Sequence, residues 1–95
     1  MHVISRKMLR TFWQQYPDSQ APLNRWFKIV ERSNFDSFAD LRVTFPSADL
    51  VGNLIVFNIG GNKYRLITSI HFNRHKIYIR YILTHKQYDK GNWKT

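Results

Sequence analysis

Apolar positions in the first third of the chain recur at helical spacing. Met8, Leu9, Phe12, Trp13 and Tyr16 share one stripe, with Lys7, Arg10, Gln14 and Gln15 largely off it. Ser5 stands where a helix N-cap is wanted, and Pro17 stands where the helix must stop. A second stripe, Leu23, Trp26, Phe27 and Val30, follows Asp18-Ser19-Gln20, with Pro22 in a first turn that tolerates proline. The short connection predicts an antiparallel helical hairpin. Residues 34–50 are less regular. Ser37 is suited to cap one short helix reaching Phe45 and closed by Pro46, and Val51-Gly52-Asn53 reads as a turn.

Beyond residue 53 the period changes from that of a helix to that of a strand. Residues 54–59, 63–72 and 75–83 read as a three-stranded meander, turned by Gly60-Gly61-Asn62 and Asn73-Arg74. Successive strand residues alternate faces. With tight turns, Ile55, Phe57, Ile59, Tyr64, Leu66, Ile70, Phe72, Ile77, Ile79, Tyr81 and Leu83 fall on one apolar face. Asn58, Lys63, Arg65, Ser69, His71, Lys76, Tyr78 and Arg80 fall on the other. The fold class expected is α+β: two N-terminal helices packed on one face of a small antiparallel sheet, in a single domain over residues 1–95.

Composition narrows the function. The chain has 95 residues, 15 Lys+Arg against 6 Asp+Glu, and a net charge of +9. Hydrophobics at 43% and aromatics at 16% are too frequent for a disordered basic tail. The absence of Cys excludes thiolate chemistry, disulfides and cysteine-containing zinc sites. The longest apolar run, Leu54 to Phe57, is far short of a membrane span, and the first residues carry no stretch of signal-peptide length. A cytoplasmic protein with a polyanionic partner and no membrane contact is expected. Residues 61–95 alone hold eight basic side chains and one acidic one.

A solvated sheet face normally mixes signs, yet the predicted polar face carries Lys and Arg with no acid on its strands. Arg65 and Arg80 brought close would repel unless an anion neutralised them. That favours phosphate. No Asp/Glu pair forms a dyad, since Glu31 is the sole glutamate. His71 and His75 flank a turn and fit two surface histidines better than a metal site. Directly after the last strand come Thr84-His85-Lys86-Gln87-Tyr88-Asp89-Lys90. Imidazole is the side chain suited to general acid or base work at neutral pH, which makes His85 a candidate, and Tyr88 lies three residues on. RNA cleavage by its own 2′-OH needs a base, an acid and cations around phosphorus. Lys63, Arg65 and Arg80 are candidates for the cations, without a metal or other cofactor. A structural hydrogen bond at a strand end is an equal reading of His85.

Val56-Phe57-Asn58-Ile59-Gly60-Gly61-Asn62-Lys63-Tyr64-Arg65-Leu66-Ile67 resembles the central signature of the HigB toxins. So does Tyr78-Ile79-Arg80-Tyr81-Ile82-Leu83-Thr84-His85-Lys86-Gln87-Tyr88-Asp89-Lys90, and Phe45-Pro46-Ser47-Ala48-Asp49, Val51-Gly52-Asn53 and His2-Val3-Ile4-Ser5 are similar too. The resemblance covers about residues 2–94. It implies the compact RelE/ParE-like fold and an mRNA interferase of a type II toxin–antitoxin system, many members cutting mRNA in the ribosomal A site. It also implies a HigA-type helix-turn-helix antitoxin, with operator DNA bound only through that antitoxin. Carried onto this chain, it gives His85 acid/base work with Tyr88 assisting or stacking on a base, and Lys63, Arg65 and Arg80 the scissile phosphate. Asp89 orients His85 or caps its turn. Asn58 contacts a base or closes the hairpin, and Lys86 and Lys90 steer RNA. Lys76 and Tyr78 extend the RNA-binding face.

Two other classes compete. ParE relatives share the architecture but act on DNA gyrase, so fold alone does not settle function. A non-catalytic RNA-binding module would use Tyr78 for stacking among its cations.

Overall fold

Residues 1–94, which the computed structural model describes, begin with a strand that the hydrophobic pattern did not announce, β1 at His2–Ile4. The two apolar stripes become α1, Arg6–Gln15, and α2, Gln20–Glu31, joined by a 3-10 turn at Pro17–Ser19. In that turn Ser19 Oγ donates to the Tyr16 carbonyl at 2.6 Å, satisfying one of the acceptors that α1 leaves open. Ser5 holds the N-cap position of α1 in extended backbone, but its side chain makes no capping bond. Ser37 does cap. Its Oγ accepts from the Asp40 N–H at 3.1 Å and starts α3, Phe38–Thr44.

The remaining strands are β2, Asp49–Val51; β3, Leu54–Ile59; β4, Tyr64–His71; and β5, Lys76–Thr84. β3, β4 and β5 form the expected antiparallel meander, but the sheet is wider and mixed, in the order β1-β5-β4-β3-β2. β1 runs parallel to β5, with His2 opposite Lys76 and Ile4 opposite Tyr78. A three-residue strand carries too little alternation to be seen in sequence; its neighbour defines it. The second connection is also longer than two residues. Phe72–Arg74 makes a 3-10 turn, and His75 closes it at φ 53.

One bulge corrects the expected faces. Ile67 pairs with Tyr81, while the next residue, Thr68, pairs with Ile79, so β5 holds an extra residue. Beyond it, Tyr81 and Leu83 leave the helix-facing side, and Ile82 takes the core position instead. The main core joins Leu9, Leu23, Trp26 and Val30 of the helices to Ile55, Phe57, Leu66 and Ile77 of the sheet. Trp26 meets Phe57 edge to face at 5.4 Å. A second, smaller cluster holds Val56, Ile67 and Trp93, with Leu54, Leu83 and Tyr88 against them. The far side of the sheet is therefore part apolar and covered, not a solvated basic surface throughout.

Asp18 ties the helical hairpin to the start of β4. It accepts from the Tyr64 hydroxyl and, at 3.1 Å, from Lys63 Nζ. The Tyr64 bond first, and the Lys63 bond second, hold the Asp18 carboxyl below its usual range, and the bond to Asp18 pushes Tyr64 up to about 12. A depressed carboxylate stabilises the fold above its unfolded pKa, and that contribution is lost as pH falls through the folded value. A raised phenol stabilises below its unfolded value of 10.0, and that contribution is lost as pH rises through about 12. Tyr64→Phe is expected to remove a tyrosine titrating near 12 from the absorbance titration and to flatten the acid limb of stability. A tyrosine still titrating there in the variant would contradict the assignment.

Candidate active site

β5 runs without a loop into α4, His85–Lys90. Six residues are too few for a helix to persist alone, so its ends decide whether it forms. Thr84 and Gln87 make a reciprocal capping box. The Gln87 N–H donates to Thr84 Oγ1 at 3.2 Å, and the Thr84 N–H donates to Gln87 Oε1 at 3.0 Å. Gly91, at φ 74, ends the helix in the left-handed conformation that glycine adopts without strain. The His85 N–H donates to the Lys63 carbonyl at 3.0 Å and so pins the helix start to β4. Thr84→Ala is expected to cost about 1 kcal/mol, read as a lower denaturation midpoint. An unchanged midpoint would show that the box carries nothing.

This small helix projects two groups of side chains. His85 Nδ1 lies 2.8 Å from Asp89 Oδ2, one turn further on, with both side chains about half exposed. A proton on Nδ1, the nitrogen that faces the carboxylate, leaves the lone pair on Nε2. Tyr88, three residues from His85, reaches the sheet. Its ring centroid is 5.3 Å from the Arg65 guanidinium, and its ring stacks on Trp93 at 5.0 Å and 17°. Trp93 Nε1 donates back to the Tyr88 carbonyl at 3.0 Å.

Arg65 is only 9% exposed. Its Nη1 donates to the Tyr64 carbonyl at 3.2 Å, and Tyr88 covers it, but among the described residues no carboxylate pairs with it. Arginine is rarely buried without a counter-charge, because desolvating the cation is costly. A cation held in this way, against a residue of the helix that also carries the His85–Asp89 pair, suits an anion brought from outside.

The other candidates are spread along the same face. Asn58 stands opposite Arg65 in the ladder. Arg80 is exposed and shares a recess with Ser69 and Trp93. Tyr78 meets His71 edge to face at 5.3 Å, and Lys76 stands opposite His71 at the end of β5 away from α4. Lys86 and Lys90 are exposed on α4, Lys90 lining a recess with Tyr81 and Gln87. Lys63 is directed elsewhere: it points to Asp18, on the helical side, and is not brought to Arg65. Trp93 had no part in the sequence reading. A faint signal was present, since an apolar residue just past a C-capping glycine often packs back on its helix.

A family model described as HigB toxin, RelE-like toxic component of a toxin-antitoxin system, matches residues 19–91. The chain is 35% identical over 92 residues to the mRNA interferase toxin HigB of Escherichia coli strain K12, covering 94% of this chain and 88% of that protein. The mRNA interferase HigB of Shigella flexneri matches to the same extent, 35% over 92 residues, with the same shares covered. A further mRNA interferase HigB, from Escherichia coli O6:H1, is 27% identical over 93 residues, covering 95% of this chain and 90% of that protein.

Proposed function

This chain belongs to the HigB family of RelE-like toxins of toxin–antitoxin systems, and from that premise we propose that it is an endoribonuclease that cleaves mRNA on translating ribosomes. The observation that carries the reading is the buried Arg65, with no carboxylate partner among the described residues, under Tyr88, which lies on the same short helix as the His85–Asp89 pair. The family's toxic role and the relatives' names as mRNA interferases support it.

The reaction needs no group beyond these side chains. His85 Nε2 takes the proton from the ribose 2′-OH. The 2′-oxygen then attacks the adjacent phosphorus, and the bond to the 5′-oxygen breaks as that oxygen gains a proton. The products are a 2′,3′-cyclic phosphate and a 5′-hydroxyl. Arg65 holds the charge that builds on the phosphoryl oxygens, where a preplaced cation in a partly dry site acts most strongly. Tyr88 keeps the guanidinium in place and offers its hydroxyl as the second proton-transfer group. Asp89 orients His85 and stabilises the imidazolium that forms. Asn58, Tyr78, Arg80 and the lysines 76, 86 and 90 hold the strand.

A HigA-type antitoxin neutralises the chain, and operator DNA is bound only through that antitoxin. Induction in a bacterium with 5′-end mapping of a reporter mRNA tests the reading. New ends inside translated codons are expected. Growth arrest with intact mRNA and signs of DNA damage would transfer the toxin to the gyrase class.

A further inference from the structure

A recess of about 440 Å³ lies on the far side of the sheet, lined by Asn53, Leu54, Ser69, Arg80, Trp93 and Lys94 among others. We propose that it is a second nucleotide site, holding a nucleotide further along the strand from the one that reacts and reading its base; this rests on the ribonuclease reading above. Four separate pieces of chain build it: the β2–β3 turn, β4, β5 and the segment after α4. Two cations, Arg80 and Lys94, line it and no acid does, which is the composition that takes a phosphate. Leu54 and Trp93 give it apolar walls, and the Asn53 amide and Ser69 hydroxyl offer donors and acceptors of the kind that discriminate base edges. The volume lies in the range of small-ligand pockets.

The β5 bulge is the second line of evidence. Regular alternation from Tyr78 to Tyr81 would send one of Arg80 and Tyr81 to the helix-packed core. The extra residue keeps both on the far side, Arg80 in this recess and Tyr81 in the neighbouring one. Bulges commonly re-aim a side chain in this way beside active sites. The recess is also set at a fixed spacing from the reacting centre. Ser69 is four residues along β4 from Arg65, roughly 13 Å at strand rise. Trp93 is the shared wall, stacked on Tyr88 and lining the recess. A strand laid along β4 from Arg65 therefore enters the recess with a nucleotide further along.

The test titrates the labelled full chain with a short 2′-O-methyl oligoribonucleotide, which has no free 2′-OH and cannot be cut. Amide signals of Gly52, Asn53 and Ser69 are expected to shift together with those of Arg65 and His85. Lys94→Ala is expected to lower the slope of log affinity against log salt by about 0.7, the value of one phosphate contact on a single strand. Asn53→Ala is expected to change which codons are cut in the mapped mRNA, since it removes base reading. Shifts around Arg65 and His85 with Gly52, Asn53 and Ser69 unmoved would overturn the second site and leave the ribonuclease reading standing. An oligonucleotide that shifts neither group, with mRNA left intact in cells, would instead remove the ribonuclease reading itself.

Discussion

His85→Ala is expected to lower mRNA cleavage by about 10²–10⁴-fold, the usual contribution of a positioned acid or base, while the fold is kept. The side chain is about half exposed and its only described partner is Asp89, so its removal leaves no cavity in either core and no buried group unpaired. The helix it starts is held by the backbone of His85 and by Thr84 and Gln87, none of which the substitution removes. Loss of growth arrest and loss of new 5′-ends should therefore coincide with an unchanged melting curve. Asp89→Asn keeps an acceptor for Nδ1–H but gives up the charge that steadies the imidazolium, so its loss should be smaller. A folded His85→Ala protein that still cuts at the wild-type rate would take His85 out of the site and leave Arg65 and Tyr88 as an anion-binding pair only.

The parts of this arrangement that were legible in sequence are those set by local rules. The helical stripes, the Pro17 stop, the Ser37 cap and the Gly-Gly hairpin each follow from residue type and spacing, and each has its counterpart in the fold. The parts that were hidden depend on partners far along the chain. β1 exists because β5 offers it an edge. The bulge at Ile67/Thr68 leaves only a faint trace in β5, where Tyr81, Ile82 and Leu83 follow one another and break the alternation. Its effect spreads, because a slip of one residue exchanges faces for everything beyond it. Tyr81 and Leu83 thus moved from core to far side and made room for the second apolar cluster. The site divides along the same line. His85, Tyr88, Arg65 and Asp89 stood out as candidates because chemistry-bearing residues crowd one segment and one strand. That Lys63 is held by Asp18, and that Trp93 backs Tyr88, are long-range contacts with no local signature.

Trp93→Ala carries the largest expected effect on stability. The indole is 5% exposed, lies against Val56 and Ile67, stacks on Tyr88 and donates to the Tyr88 carbonyl. Truncating a buried Trp costs about 3–5 kcal/mol, and a domain of this size then melts roughly 15 °C lower or more. The loss also reaches the chemistry. Without the indole, the Tyr88 ring over Arg65 loses its stacked partner, and the C-terminal end of α4 loses the bond to the Tyr88 carbonyl. Cleavage measured well below the melting temperature should therefore fall further than the folded fraction does. Trp93→Phe separates the ring from its N–H: it keeps much of the stack, gives up the bond to Tyr88, and should melt between the wild type and the alanine variant. If Trp93→Ala melted within a degree or two of the wild type, the segment after α4 would not be packed on the sheet in solution. The sheet face beneath it would then be open, and Arg65 would be an ordinary solvated cation rather than one held dry for a phosphate.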